Sequence, residues 1–350
     1  MTAAPPAPVS ALIDRALTDG VFTAAVLHVQ DLRSARPLFV HAAGRTADPA
    51  HDVPVTTASR FDLASLTKLV TATVALRLAA RGDLDLDAPV ADVLGSRLTS
   101  DHRDVTARHL LSHTAGLLAW RPLWEAGDVL EAALATAPDV EPGSRHKYTD
   151  VGFLWLGALL QAAGGAPLDT LARAHVLDPL GMADTRYHPL PTGPHPDVVA
   201  TEICPERGLL VGAVSDRNTW HLGGIAPQAG LFGPAGDLAR FAQGWWDAPR
   251  TGFLPTALRD EAWGPPPLPG GHVLGWDTVA PEGYTSAGRV LSPRSHGHLA
   301  FTGPSLWVDP ERGLAVIFLC NRIHPTRDEP RLRDLRPALH DAVARAADSM

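Results

Sequence analysis

The sequence predicts an α+β protein in which an antiparallel sheet, flanked by helices from both ends of the chain, carries an inserted all-helical lobe. Three observations predict this class. Two β-rich runs stand near the start, Val21–Gln30 and Pro37–His41. Helical periodicity, broken by glycine and proline loops, then continues to about residue 260. Strand candidates and a final helix close the chain, at Gly297–Phe301, Ser305–Val308, Leu314–Leu319 and Asp334–Ala347.

The two β-rich regions lie at opposite ends of the chain, so we expect them to share one sheet. Residues 10–62 and 265–348 would then form a discontinuous sheet lobe, and residues 63–264 the helical lobe of the same unit. Sites for small molecules often lie where two such parts meet. We therefore expect the active site in the cleft between the lobes.

Local patterns justify the individual elements. A short helix, Val9–Thr18, precedes a hairpin with the polar turn Asp31–Arg36. Ser65–Arg81 keeps a helical period of apolar residues, and Gly82 follows where a C-cap glycine belongs. In the terminal helix, Pro337 fits only the first turn because proline lacks an N–H. The remaining predicted helices are Leu123–Thr136, Asp150–Ala163, Leu168–His175 and Ala235–Trp246.

Composition excludes several classes of function. The chain has 350 residues, 45% hydrophobic and 19% charged, as is ordinary for a globular protein. A net charge of −8 provides no basic surface for nucleic acid or an anionic membrane. No apolar run approaches the ~18 residues of a membrane span, and the first ten residues lack a secretory signal. We therefore expect a cytoplasmic protein with Cys204 and Cys320 reduced and buried; its oligomeric state is left open.

The first candidate site is Ser65-Leu66-Thr67-Lys68. Only Lys68 and Lys147 among the 30 basic residues are lysines, and a lysine amine, unlike arginine, can be tuned to act as a base. Residues three apart share one face of a helix. Free N–H groups and the dipole at a helix start also stabilise negative charge. The segment thus indicates a nucleophile, a base and part of an oxyanion hole; the alternative is a chance spacing.

A second segment, Lys147-Tyr148-Thr149-Asp150, joins a phenol to two charged residues. The Lys147 ammonium can lower the pKa of Tyr148 by stabilising the phenolate. Asp150 can pair with Lys68, or it can serve as the N-cap of the helix that follows. The two roles of Asp150 are not exclusive.

The third segment, Gly297–Gly303, lies on a strand candidate. A backbone N–H at a strand edge can complete an oxyanion hole, and His298 adds a titratable group beside it, unless that histidine is structural. A metal site is not indicated, because there is no H-E-x-x-H motif and His296 and His298 lack an evident third ligand. We therefore predict no metal and no cofactor.

In this order, the three segments resemble the motifs of the serine β-lactamase and penicillin-recognising superfamily. Ser65–Lys68 is similar to its S-x-x-K motif. Tyr148–Asp150 resembles the Tyr-x-Asn motif of the class C branch, and His298–Ala300 falls where Lys/His-Thr-Gly is usual. The resemblance covers about residues 10–348 and implies the β-lactamase/transpeptidase-like fold. Supporting stretches are Phe61–Ala64, His109–Leu117, Arg207–Phe232 and Thr302–Pro310.

The resemblance implies an acyl-serine mechanism. Ser65 would attack an ester or amide carbonyl and form an acyl-enzyme that water hydrolyses. Lys68 and Tyr148 would share the proton transfers, and Asp150 would hold the Lys68 ammonium. The oxyanion would lie between the backbone N–H groups of Ser65 and Phe301.

Departures from the family pattern bear on specificity. Asp150 replaces the more frequent Asn, which favours a charged Lys68 and makes Tyr148 the expected base. Leu299 replaces a Thr whose hydroxyl helps hold a substrate carboxylate, and Ala300 replaces a Gly. His298 could polarise the site, bind a carboxylate or only pack.

We therefore expect a carboxylesterase for small uncharged esters. The alternatives are a weak β-lactamase or D-alanyl-D-alanine carboxypeptidase, and a non-catalytic binding protein with this fold. A small-molecule ester or amide is the expected partner in either enzymatic case.

Overall fold

The computed structural model describes residues 4–98, 104–187, 197–269 and 271–350. The strands are β1 (Ala24–Asp31), β2 (Arg36–Gly44), β3 (Phe61–Asp62), β4 (Arg186–Tyr187), β5 (Ala200–Cys204), β6 (Gly208–Val211), β7 (Leu231–Gly233), β8 (His272–Val273), β9 (Trp276–Thr278), β10 (His296–Leu299), β11 (Ser305–Asp309) and β12 (Leu314–Cys320). Seven of them form one antiparallel sheet in the order β2-β1-β12-β11-β10-β9-β8. The predicted sheet, assembled from both ends of the chain, is confirmed.

The two ends of the chain meet inside this sheet, at its second and third strands. β1 pairs antiparallel with β12, from Ala25 opposite Cys320 to Asp31 opposite Leu314. Every residue of β12 is buried, as expected of a strand covered on both faces. The apolar run Leu314–Cys320 therefore lacks the alternation of a half-exposed strand.

The α-helices of the described residues are α1 (Ala7–Thr18), α2 (Thr67–Arg81), α3 (Ala91–Leu94), α4 (Ala107–Leu111), α5 (Val129–Leu134), α6 (Asp150–Gly164), α7 (Leu168–Ala172), α8 (Arg217–His221), α9 (Ala235–Thr251), α10 (Thr256–Ala262) and α11 (Leu332–Ala347). They cover both faces of the sheet. Leu27 and Phe318 belong to the apolar cluster that includes α1 and α11. Val26 and Ile317, one position along each strand, belong to the cluster that includes α2 and α9.

Two predicted helices are interrupted. In the predicted helix Leu123–Thr136, a 3₁₀ turn ends at Ala126, and Gly127 adopts a φ of +94°. Asp128 then caps a new helix, α5, by accepting from the N–H of Leu130 at 2.9 Å. The predicted helix Leu168–His175 changes at Arg173 into a π-helical turn.

The terminal helix begins at Leu332, so Pro337 lies in its second turn rather than in its first. A proline there leaves the carbonyl of Arg333, four residues earlier, without its helical N–H donor. The hydroxyl of Tyr284 donates to that carbonyl at 3.0 Å. This side-chain bond explains why the helix tolerates Pro337.

The inserted segment, residues 63–264, is not all-helical as predicted: short strands that the sequence did not indicate lie within it or, for β3, directly before it. β3, β7 and β4 form a three-stranded sheet, and β5 pairs with β6. Cys204 and Cys320 are unpaired and buried, as expected. No single helix of the described ranges is long and apolar enough to cross a membrane; residues 150–164 and 168–177 meet that criterion only as a pair, which is bent by 77°.

Candidate active site

Ser65 lies in a tight turn between a strand and a helix. β3 ends at Asp62, a 3₁₀ turn spans Ala64–Leu66, and α2 begins at Thr67. Ala64 has a φ of +40°, a region that non-glycine residues seldom occupy. The Asp62 carboxylate accepts from the Ala64 N–H at 2.9 Å and holds the turn. Ser65 is thereby presented just before the N-terminus of α2.

Lys68 is fully buried beside the serine. Its Nζ lies 3.1 Å from Ser65 Oγ, 3.2 Å from the Gln228 carbonyl oxygen and 2.7 Å from Asp150 Oδ1. Burial lowers the pKa of Lys68, but the carboxylate of Asp150 and, when it is ionised, the hydroxyl of Tyr148 more than offset that effect. The net direction is upward, so Lys68 is an ammonium at neutral pH.

Tyr148 is the third side chain that contacts Ser65 and Lys68. Its ring centroid lies 4.8 Å from Lys68 Nζ, and its hydroxyl interacts with Lys68 and Ser65. Burial raises the pKa of Tyr148 and outweighs the lowering effect of Lys68. The expectation that Lys147 lowers this pKa is wrong, because the Lys147 ammonium turns away to Asp139, 3.2 Å distant.

Asp150 is not the cap of α6. The Thr149 side chain takes that role, since its Oγ1 accepts from the Gly152 N–H at 3.0 Å and donates to the Leu118 carbonyl at 2.6 Å. Asp150 is the first helical residue. Its carboxylate is therefore free to pair with Lys68, although burial raises the pKa of Asp150.

His298 lies on β10 with its side chain buried. Its Nδ1 is 2.7 Å from the Leu299 carbonyl oxygen, so Nδ1 carries the proton and Nε2 presents a lone pair. Nε2 has no partner among the described residues. Burial, assisted by the charge of Lys68, lowers the pKa of His298 to about 3. The imidazole is therefore neutral and accepts hydrogen bonds.

Three histidines from distant segments converge around Tyr148. One ring nitrogen of each of His113, His272 and His298 lies within 4.8 Å of the others, and all three side chains are buried. The ring centroids of His113 and Tyr148 are 4.5 Å apart. His296, two residues before His298 on the same strand, is not part of this cluster: its Nε2 lies 3.0 Å from the Gly264 carbonyl oxygen.

The hydrogen bonds decide whether this cluster could hold a metal ion. His113 Nδ1 accepts from the Thr149 N–H at 3.1 Å, so the His113 proton is on Nε2. A metal ligand must offer a lone pair at that atom. In the described arrangement His113 therefore presents an N–H to the cluster, and three converging lone pairs are not available.

The two expected oxyanion donors lie at the edges of the same cleft. The backbone N–H groups of Ser65 and Phe301 donate to no acceptor within the described residues. The Thr302 hydroxyl donates to the Asp62 carbonyl at 2.8 Å and so links the turn that carries Phe301 to the turn that carries Ser65. Both amides are thus available to a ligand.

The cleft has a volume of about 1180 Å³, above the usual ~300–1,000 Å³ for small-molecule sites. Ser65, Tyr148 and His298 line it together with Leu299 and Ala300. The aromatic side chains along its walls are Trp120, Trp124, Tyr284 and Phe301.

Sequence reasoning missed two members of the site. His113 lies within His109–Leu117, whose resemblance to the family signature indicates the fold but assigns no role to this histidine. His272 is the first residue of the two-residue strand β8 and has no motif around it. Its 3.1 Å contact with His146 is equally without a sequence signal.

Comparison with known sequences gives one family and named relatives. A family model described as Beta-lactamase matches residues 10–340. A putative D-alanyl-D-alanine carboxypeptidase of Escherichia coli O157:H7 is 28% identical over 328 residues, covering 81% of this chain and 73% of the relative. A protein of the same name from Salmonella typhimurium is 28% identical over 330 residues, with coverages of 81% and 74%.

Solved structures share the fold across nearly the whole chain. Simvastatin synthase (LovD) from Aspergillus terreus has a TM-score of 0.75 at 20% identity, covering 99% of this chain and 100% of that one. EstCE1, a hydrolase with promiscuous acyltransferase activity, has a TM-score of 0.71 at 20% identity, with coverages of 94% and 97%. At these identities the likeness concerns the fold alone.

Proposed function

The chain belongs to the beta-lactamase family of serine hydrolases, and on that premise we propose that it is a carboxylesterase that forms an acyl-enzyme on Ser65. One observation carries the proposal. Ser65 Oγ lies 3.1 Å from the Lys68 ammonium and beside the Tyr148 hydroxyl, at the base of a cleft large enough for an ester. A nucleophile within reach of proton-transfer groups is the arrangement that acyl transfer requires.

Tyr148 is the base in this proposal. Lys68 is held as an ammonium by Asp150, so it has no lone pair with which to accept a proton. The Tyr148 phenolate, which forms when the hydroxyl gives its proton to solvent and is stabilised by Lys68, accepts the Ser65 proton as Oγ attacks the ester carbonyl. The tetrahedral oxyanion accepts hydrogen bonds from the N–H groups of Ser65 and Phe301.

The second half of the reaction returns the site to its starting state. Tyr148 gives the proton to the leaving alkoxide, so that the alcohol departs and the acyl group remains on Ser65. Water then loses a proton to Tyr148 and attacks the acyl carbonyl. Collapse of that intermediate releases the acid, and Ser65 recovers its proton.

An uncharged acyl group suits the strand beside Ser65. Leu299 and Ala300 add apolar surface there, and His298 is neutral, so it supplies no positive charge to hold a substrate carboxylate. The volume of the cleft supports a bulkier ester than the small one expected from the sequence.

The second candidate is a D-alanyl-D-alanine carboxypeptidase. Relatives at 28% identity carry that name with the qualifier putative. The same acylation chemistry would serve it, but its peptide substrate ends in a carboxylate. The apolar Leu299 and the uncharged His298 favour the esterase.

Labelling with a fluorophosphonate probe tests the nucleophile. We expect the wild type and the Ser144→Ala control, which changes an exposed serine, to be labelled equally, and Ser65→Ala not at all. Labelling of Ser65→Ala at the wild-type rate would refute the assignment.

Turnover then ranks the substrate classes. We expect p-nitrophenyl butyrate to be hydrolysed with a higher kcat/KM than nitrocefin or a peptide ending in D-alanyl-D-alanine. Faster turnover of the peptide would favour the carboxypeptidase. Absence of labelling and of all turnover in a folded protein would leave the binding role.

A further inference from the structure

A buried arginine, Arg336, donates a hydrogen bond to the peptide group between Ala300 and Phe301. Its N–H, on Phe301, is the second oxyanion donor of the proposed reaction. Its carbonyl, on Ala300, accepts from Arg336 Nη2 at 3.1 Å and from the Gly303 N–H at 3.2 Å. The carbonyl of this peptide is thus hydrogen-bonded within the protein, and its N–H is left for a ligand.

We propose that Arg336 is a positioning residue of the oxyanion hole, which orients and polarises the Ala300–Phe301 peptide so that the Phe301 N–H stabilises the charge formed during acylation. The proposal rests on the proposed acyl-serine function. Arg336 lies in the lining of the same cleft, but its Nη2 is directed at backbone carbonyls, so in this proposal it acts on the reaction through the peptide.

Orientation follows from the number of contacts that Arg336 makes. Its Nη2 also contacts the carbonyls of Gly303 and Pro304, the latter at 3.4 Å. Ala300 further donates its own N–H to the Pro304 carbonyl at 2.8 Å. The turn that presents Phe301 is therefore tied to α11, whose residues Leu332, Arg333 and Arg336 line the same cleft as Ser65.

Polarisation follows from the charge. Arg336 is only 7% exposed, and no carboxylate of the described residues is among the groups that interact with it. A buried cation without a counter-ion is costly, and Arg336 instead points its charge at carbonyl oxygens. Donation to a carbonyl strengthens the N–H of the same peptide as a donor, because hydrogen bonds in a chain polarise one another.

The charge becomes useful when the reaction creates an anion. In the resting site the carbonyls alone stabilise Arg336. When Ser65 attacks, the new oxyanion lies at the far end of the polarised peptide, where the field of the guanidinium favours it in a site of low dielectric. Arg336 thus stabilises the intermediate more than the neutral ester.

Infrared spectroscopy of the acyl-enzyme tests this role. p-Nitrophenyl trimethylacetate carrying ¹³C at the carbonyl acylates Ser65, and the ¹³C-minus-¹²C difference spectrum isolates the acyl carbonyl band. A stronger oxyanion hole moves that band to lower wavenumber. We expect Arg336→Met to raise the wavenumber relative to wild type and to reduce the acylation rate about tenfold, less than the ~10²–10³ lost with a donor itself.

Two further variants separate positioning from stability. Leu339→Ala opens a cavity on the same helix at a fully buried position away from the turn, so we expect lower stability with the band unmoved. Arg336→Lys keeps the charge with a shorter reach and serves if Arg336→Met does not fold; we expect a smaller shift in the same direction.

The outcomes distinguish this inference from the proposed function. If the wild type forms no acyl-enzyme, the proposed function fails. If the wild type is acylated but the band is unmoved in the folded Arg336 variants, or moves equally in Leu339→Ala, only the role of Arg336 is refuted.

Discussion

The Lys68 ammonium lies 2.7 Å from the carboxylate of Asp150, with Lys68 completely buried. A charged pair of this kind sets the protonation of the groups around it. The negative charge of Asp150 raises the pKa of both Lys68 and Tyr148. In the proposed reaction the carboxylate therefore sets the pH at which Tyr148 loses its proton.

Asp150→Asn is expected to shift the pH profile of kcat/KM to lower pH by about one unit or more. Removing the negative charge lowers the pKa of Tyr148, so the phenolate forms earlier, and lowers the pKa of Lys68, so the ammonium is lost earlier. Hydrolysis of p-nitrophenyl butyrate across pH measures the shift. Asp277→Asn, which changes a second carboxyl of the cleft, is the control; a profile that moves to higher pH in Asp150→Asn would contradict the assignment.

Tyr148→Phe is expected to reduce kcat/KM by about 10²–10⁴, the usual contribution of a general base. The ring keeps its packing against His113, so the midpoint of thermal unfolding should change little. In the control Tyr187→Phe, a hydroxyl that donates to the Ala226 carbonyl is lost. That variant should keep its activity and lose about 1 kcal/mol of stability. An unchanged pH–rate profile in Tyr148→Phe would exclude the phenol as base.

Thr149→Val removes the cap of α6 and should cost about 1–2 kcal/mol of unfolding free energy. Because Tyr148 and Asp150 flank the cap, we also expect a lower kcat. Thr106→Val makes the same chemical change at the cap of α4 and should lower only the stability. Urea unfolding and ester hydrolysis compare the two; equal activity losses would show that the α6 cap does not position the site.

Leu299→Thr combined with Ala300→Gly is expected to raise the kcat/KM for nitrocefin about tenfold or more relative to that for p-nitrophenyl butyrate. The new hydroxyl offers a hydrogen bond to the nitrocefin carboxylate, and such bonds to charged groups contribute about 1.5–3 kcal/mol. Leu299→Ala creates space without a hydroxyl and separates the two effects. An equal gain in Leu299→Ala would assign the selectivity to volume.

The buried histidines should make the protein sensitive to acid. An unfolded imidazole takes up a proton near pH 6.5, whereas burial holds the pKa of His298 at about 3. Below pH 6.5 the unfolded state therefore binds the extra proton, and stability falls with falling pH by about 1.4 kcal/mol per unit for this group.

Urea unfolding at several pH values measures this loss. We expect a shallower loss in His298→Gln, while the exposed control His221→Gln should follow the wild type. A slope in His298→Gln identical to that of the wild type would contradict the neutral, buried imidazole.

The motifs predicted the centre of the site because its chemistry is concentrated in short segments. Ser65 and Lys68 are one helical turn apart, and Tyr148 and Asp150 flank one cap, so local spacing already constrains them. Sequence could not choose between two capping residues for α6. Thr149 takes the cap because its hydroxyl both accepts from Gly152 and donates to Leu118.

The surroundings of the site depend on contacts that no local pattern encodes. His113 and His272 meet only once β8 has joined the sheet edge, and Arg336 reaches Ala300 from a helix 36 residues further along the chain. The second turn of α11 accepts Pro337 because Tyr284 lies nearby. These are tertiary contacts between distant residues, so they cannot be predicted from periodicity or composition.

The pairing of β1 with β12 has a consequence for folding during synthesis. During synthesis on the ribosome, β1 and β2 emerge long before β12. The edge of β1 that pairs with β12 therefore stays open until the end of the chain has been made. An open strand edge invites pairing with another polypeptide, and joining such distant segments slows folding. The nascent chain is therefore most prone to aggregation before β12 has been synthesised and paired.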